Sequence, residues 1–232
     1  MKLSIMQPYF LPYIGYFQLI AASDAFIVYD NIKYTKKGWI NRNRMLRDGE
    51  PVTFSLPLKK DSDSLDVRER ELTADFEPEK LLNQFKSAYR KAPHFTGTWP
   101  VIEEILRHED RNLFRFLHHS IVRICSHLGI TTEIRTSSDI GIDHSLKNQE
   151  KVLALCGAAG ADLYINPIGG MQLYQRGEFR ANGVDLRFLR PKELIYPQFR
   201  ESFVPWLSIL DVMMFYDPES LHDVIETGYD LI

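Results

Sequence analysis

Met1 to Asp30 holds a strand, a proline-bearing loop, a helix and a second strand, and that order leaves few folds open. Leu3–Met6 is a short apolar run. Two prolines in Gln7-Pro8-Tyr9-Phe10-Leu11-Pro12 block helix until Tyr13. Ile14, Phe17 and Ile20 then recur at helical spacing, with Leu19 widening the stripe. Ser23-Asp24 closes the helix. Ala25–Tyr29 is a continuous apolar run ending in Asp30, the pattern of a strand covered on both faces. Strand, helix and strand at this spacing predict a right-handed βαβ unit and a parallel sheet.

The rest of the chain extends that pattern. Asp48-Gly49 lies between extended runs and Val52–Leu56 alternates apolar with polar, which predicts a hairpin. The stretch 59–70 is charged and reads as a mobile loop. Helical spacing predicts helices over 78–90, 99–107, 111–128 and 146–159, with strands at 132–135, 162–166 and 184–189. Residues 205–225 read as two helices split near Pro218. The expectation is one α/β domain over 1–232, with a parallel-sheet core at about 1–70 and 131–232 and a helical insertion at about 75–130.

Composition excludes several classes. Hydrophobic residues make up 44% and charged residues 25% of 232, ordinary globular usage that argues against long disorder. No apolar run approaches the roughly 20 residues of a membrane span, and Met1–Phe10 lacks a signal-peptide core. A cytoplasmic protein with no membrane partner is expected. The net charge of −3 and pI of about 6.2 give no support to nucleic acid as primary ligand. Cys125 and Cys156 sit inside helical patterns, which predicts reduced core thiols. The HExxH and CxxC spacings are absent, so no metal is expected. Homo-oligomerisation is left open.

Charge is uneven, however. Asn31–Arg47 carries six cations (Lys33, Lys36, Lys37, Arg42, Arg44, Arg47) and no acid. Either this is solvated edge-strand surface or it is an anion site. Cations, amides and an indole together suit a charged planar ligand: Arg42 and Arg44 can clasp phosphate, Lys33 and Lys36 act as point charges, and Trp39 can stack a base. In an extended segment Asn41 and Asn43 share one face and Arg42 and Arg44 the other.

Two turns follow predicted parallel strands and so reach the same sheet edge, where ligands bind. The first is Gln7–Tyr16, with Gln7, Tyr9, Tyr13 and Tyr16 as hydrogen-bonding groups. Gly15 inside its helix costs about 1 kcal/mol relative to Ala, so a ligand or a neighbour must need its bare Cα. The second is Asn166–Tyr174, with Asn166, Gly169, Gly170 and Tyr174. Between them, Asp143–Asn148 offers His144 and Lys147 before a helix that Ser145 can cap.

Met6–Phe17, Trp39-Ile40-Asn41-Arg42-Asn43-Arg44, Asp24-x-Phe26…Asp30 and Tyr164-x-Asn166…Gly169-Gly170…Tyr174…Phe179 resemble the WbqC-like family over nearly the whole chain. That family occurs in bacterial O-antigen and surface-polysaccharide clusters, which implies work on a nucleotide-activated amino sugar. More distantly, the strand, Pro-bearing loop and Tyr13-Ile14-Gly15-Tyr16 look like the HxGH turn of nucleotidyltransferases. This likeness implies a nucleotidyltransferase/HUP-like (Rossmann-like) core. Both histidines are tyrosines here, and a phenol carries no positive charge at pH 7.

The leading expectation is therefore an enzyme that transfers an acyl or aminoacyl group to the amine of a nucleotide-linked sugar. Lys33, Lys36, Arg42 and Arg44 would hold phosphates, and Gln7, Tyr9, Tyr13 and Tyr16 would position sugar or donor. Asp30 would be the base, with His144 in reserve. The co-reactant would be ATP or an activated acyl or aminoacyl donor. The alternatives are an ATP-dependent ligase or nucleotidyltransferase, with Lys147 on the triphosphate, and a non-catalytic nucleotide-sugar-binding subunit.

Overall fold

A computed structural model describes residues 1–200 and 202–232. The expected βαβ unit is present: β1 (Lys2–Met6), α1 (Ile14–Ala21) and β2 (Ala25–Val28), with Leu3 opposite Ala25 and Met6 opposite Val28 in parallel register. The hairpin β3 (Arg42–Arg47) and β4 (Glu50–Ser55) is a separate sheet. Its turn places Asp48 at φ 55° and Gly49 at φ 83°, the paired left-handed conformation of the tightest hairpins.

Three helices, α2 (Pro78–Tyr89), α3 (Phe95–Leu106) and α4 (Leu113–His127), separate the hairpin from β5 (Glu133–Thr136). Then come α5 (Asn148–Ala159), β6 (Leu163–Pro167), α6 (Arg176–Ala181) and β7 (Asp185–Pro191). The chain finishes with α7 (Ile209–Phe215), α8 (Pro218–Thr227) and β8 (Tyr229–Leu231).

The main sheet runs β5-β2-β1-β6-β7-β8, with only β8 antiparallel. Counted within the sheet, this is the order 3-2-1-4-5-6 of a doubly wound, Rossmann-like α/β fold, and its switch point lies between β1 and β6. Side-chain alternation divides the core. Leu3, Ile5, Ala25 and Ile27 pack with Leu155 of α5 and Phe179 of α6, while Phe26 and Val28 face the cluster that includes α1, α4 and α7. No helix among the described residues is long and apolar enough to cross a membrane. Cys125 and Cys156 are buried and free, and burial pushes each thiol up to about 12, which leaves them protonated and inert near neutrality.

Two local expectations need correction, and two short elements were not foreseen. The stretch 59–70 is not simply a loop: Val67–Glu69 forms a 3-10 turn with a capping box from Asp66 and Glu69, Val67 is fully buried, and Arg70 lies 4.5 Å from the Tyr34 ring centre. Two apolar residues, Leu65 and Val67, in a charged run leave no periodicity to read. Ser145 does not cap α5, whose N-cap is Lys147. Finally, α6 and β8 are too short to show a repeat.

Candidate functional site

Three segments meet at an aromatic pocket beyond the carboxyl end of β1. The loop after β1 passes through Leu11 at φ 44°, a conformation that costs a branched residue about 1–2 kcal/mol. Buried side chains hold it there. Asn43 Nδ2 donates to the Leu11 and Phe10 carbonyl oxygens at 2.8 and 3.2 Å, and Ser208 Oγ donates to the Leu11 oxygen at 2.7 Å. Beside this loop, Tyr9, Tyr13, Trp39, Asn43, Arg44 and Trp206 line a pocket of about 260 Å³.

Trp39 and Trp206 are 42% and 66% exposed, unusual for two indoles at one site. Trp206 itself sits at φ 60° and lies 6.1 Å from Tyr13, centre to centre. The Arg44 guanidinium stands 5.6 Å from the Trp39 ring centre and donates through Nη2 to the Trp206 carbonyl oxygen at 2.9 Å. Its Nε is buried with no acceptor among the described residues. Burial raises the Tyr9 and Tyr13 phenols above their ordinary value, so both are neutral hydroxyls at pH 7.

Several neighbours have structural duties instead. The Tyr16 hydroxyl is buried and donates to the Gln7 carbonyl oxygen at 3.0 Å, so it faces no ligand. At Gly15 a Cβ would lie 2.7 Å from the Tyr13 hydroxyl oxygen, so the bare Cα makes room for that phenol. The Gln7 side-chain oxygen is 3.5 Å from the Tyr9 hydroxyl. Arg42 shares the Trp39 face with Arg44, as alternation requires, but its Nε and Nη2 are committed to the Gly38 and Lys37 carbonyls at 3.0 and 2.7 Å. Asn41 is satisfied by the Tyr34 hydroxyl and the Leu56 carbonyl. Lys36 pairs with Asp63 at 2.7 Å, and Lys33 is exposed on a bridge to Asp66. Of the four expected phosphate cations, only Arg44 lines the pocket.

Asp30 belongs to a second site. It lies two residues beyond β2, is 3% exposed, and lines a polar cleft of about 860 Å³ between the sheet edge and α4. Its Oδ1 accepts from Ser137 Oγ at 2.7 Å and from the Ser138 amide at 2.9 Å. Burial pushes the carboxyl up, but the bonds from Ser138 and Ser137 outweigh it and hold the acid below its ordinary range. Such a group is a firm anion and a poor base at neutral pH. The reserve base is also occupied: His144 Nδ1 lies 2.9 Å from Asn31 Nδ2 and Nε2 lies 3.0 Å from the Ile140 carbonyl oxygen. The amide donates to Nδ1 and Nε2 donates to the carbonyl, so both ring nitrogens are engaged.

Lys151 was invisible in the sequence. It is 8% exposed, donates to Asn31 Oδ1 at 3.1 Å and sits 5.4 Å from the Tyr29 ring centre. Burial lowers its ammonium below the ordinary value, against the opposing pull of Asp66 and Asp30. A lysine in a helical pattern reads as solvated, so nothing in the sequence marked it. Lys147 is exposed at the α5 N-cap.

The Asn166–Tyr174 turn reaches the same sheet edge as Gln7–Tyr16, because β1 and β6 are parallel neighbours. Its side chains turn inward. Asn166 accepts from the Tyr164 hydroxyl at 3.1 Å and donates to the Pro167 carbonyl, and Tyr174 packs on Tyr164 and Phe179. A Cβ on Gly170 would lie 3.3 Å from Asn166 Cγ, whereas Gly169 faces open space. Neither the pocket nor the cleft is lined by this turn.

A family model described as the WbqC-like protein family matches residues 7–223, which spans the pocket, the cleft and both turns. The chain belongs to the WbqC-like family. It is 27% identical over 219 residues to the "Uncharacterized protein Rv1507c" of Mycobacterium tuberculosis (strain ATCC 25618 / H37Rv), covering 91% of this chain and 92% of that one. No solved structure matches. For a WbqC-like chain, the Tyr9–Tyr13 loop, the Trp39–Arg44 segment and the region around Trp206 form one wall.

Proposed function

We propose that this WbqC-like chain is a cytoplasmic enzyme of bacterial surface-polysaccharide (O-antigen) synthesis that transfers an acyl or aminoacyl group to the amine of a nucleotide-linked sugar. One observation carries the reading: a ring-sized aromatic pocket built on an arginine whose buried Nε lacks an acceptor among the described residues. Aromatic faces stack planar bases and the apolar faces of sugars, and a guanidinium with an unused N–H is a phosphate or carboxylate ligand. A nucleotide-linked sugar supplies both features in one molecule.

In this reading Tyr9, Tyr13, Trp39 and Trp206 hold the nucleotide base and exclude water, while Arg44 meets a phosphate oxygen. Asn43 is a positioning residue that fixes the loop carrying Tyr9 and Tyr13. The co-reactant is an activated acyl or aminoacyl donor. The HUP-like nucleotidyltransferase reading is less well supported, because the Tyr16 hydroxyl is bonded to Gln7 and the space above Gly15 holds Tyr13.

Mass spectrometry of small molecules retained by the purified protein tests this. A nucleotide-linked sugar supports the reading. ATP alone favours the ligase, and a bound sugar nucleotide that no activated acyl or aminoacyl donor modifies favours a non-catalytic subunit.

A further inference from the structure

The polar cleft is separate from the aromatic pocket, with no lining residue in common. Its walls come from the end of β2, the turn after β5, the 3-10 turn at Val67–Glu69 and one face of α4. Four acids (Asp30, Glu69, Asp110, Asp139) and two arginines (Arg68, Arg115) line it. Arg115 is spent on Asp110, with Nη2 at 3.0 Å from Oδ1. Arg68 reaches Asp30 Oδ2 only at 3.8 Å, beyond a hydrogen bond. The cleft therefore keeps an excess of negative charge, and an almost fully buried carboxylate there has one oxygen without a hydrogen-bond donor among the described residues.

Histidines complete it. His119 stacks on His108 with ring centres 4.0 Å apart, and its Nε2 is buried with no partner among the described residues. His118 packs against Phe114, at 5.7 Å between centres, and neither of its nitrogens has a hydrogen-bond partner among the described residues. The ring nitrogens of His144, by contrast, are both engaged. Burial lowers the His118 imidazolium below the ordinary value, with Asp139 pulling the other way, so it is neutral at pH 7.

We propose that this cleft is the site of the acceptor amine, with Asp30 as counter-ion of its ammonium and His118 as the group that takes its proton. A carboxylate buried among hydrogen bonds recognises an alkylammonium through charge and direct N–H donation. The ammonium passes one proton to His118, which releases it to solvent. The freed lone pair attacks the carbonyl carbon of an activated acyl ester and the C–N bond forms. The C–O bond to the leaving group breaks, and the second N–H proton ends on the departing oxygen. His118 as proton acceptor rests on the acyl-transfer reading above; recognition of the ammonium does not.

The test is a histidine-ring NMR titration of the full chain at pH 6 with glucosamine and, separately, N-acetylglucosamine, which lacks the charge. His118 and His119 resonances are expected to move with glucosamine, and at least tenfold more of the acetylated sugar is needed for the same shift. Asp30→Asn should abolish that preference. If Asp30→Asn fails to fold, Asp139→Asn and His118→Gln serve instead: the first should weaken the amine preference, and the second should retain glucosamine binding, read on His119. Equal response to both sugars, or no response of these rings to glucosamine, overturns the proposal. Neither result touches the aromatic pocket, whose failure would appear as indifference of sugar-nucleotide binding to Arg44.

Discussion

Arg44 Nη2 donates to the Trp206 carbonyl oxygen at 2.9 Å, a bond between residues 162 positions apart that closes the aromatic pocket. It joins the hairpin sheet to the segment entering α7, and it leaves Nε without an acceptor among the described residues.

Arg44→Ala should weaken sugar-nucleotide binding by about 1.5–3 kcal/mol, the range for a hydrogen bond to a charged group. Arg42→Ala should change it far less, because that guanidinium serves the Gly38 and Lys37 carbonyls. Isothermal titration of both variants decides the matter, and equal losses would return the site to a diffuse basic patch.

Asn43→Ala should destabilise the chain by about 1–3 kcal/mol, since the Phe10 carbonyl loses the amide donor and the Leu11 carbonyl keeps only Ser208 Oγ. Leu11 would also lose one of the two groups holding its positive φ. Urea unfolding measures the first effect, and loss of sugar-nucleotide binding in the folded variant reports the second.

Tyr16→Phe should cost about 1 kcal/mol of stability and leave binding unchanged, because its hydroxyl serves the Gln7 carbonyl. Gly15→Ala should do the reverse of a neutral change. Its methyl displaces the Tyr13 ring, so affinity should fall even where the fold survives.

The Asp30 carboxyl sits below its ordinary value in the folded chain. A lowered acid contributes stability above its unfolded value of about 3.9, and that contribution is lost as pH falls through the folded value. Ser137→Ala removes one donor, so the folded value should rise and the acid-unfolding midpoint should move to higher pH. Carboxyl-detected NMR and an acid titration followed by circular dichroism check both shifts.

The strands were legible because β1, β2 and β6 are continuous apolar runs, and parallel pairing follows from the short βαβ spacing. Tyr9, Tyr13, Trp39 and Arg44 were legible as a chemically unusual local cluster. Trp206 was not, because it arrives from a distant segment without periodicity. Arg42 and His144 misled for one physical reason: their polar atoms are consumed by backbone carbonyls and an amide, which composition cannot reveal. Along α4, Arg115, His118, His119 and Val122 fall on one helical face, the periodic signal in the sequence that belongs to the polar cleft.

Thermal shift with a panel of nucleoside-diphosphate sugars, run on the natural chain and on Arg44→Ala, tests the aromatic pocket most directly. A ligand present at 100 times its dissociation constant adds about 2.7 kcal/mol of stability. At least one panel member should raise the melting temperature of the natural chain and fail to raise that of Arg44→Ala. A panel with no effect, or a shift that persists undiminished in Arg44→Ala, would contradict the account.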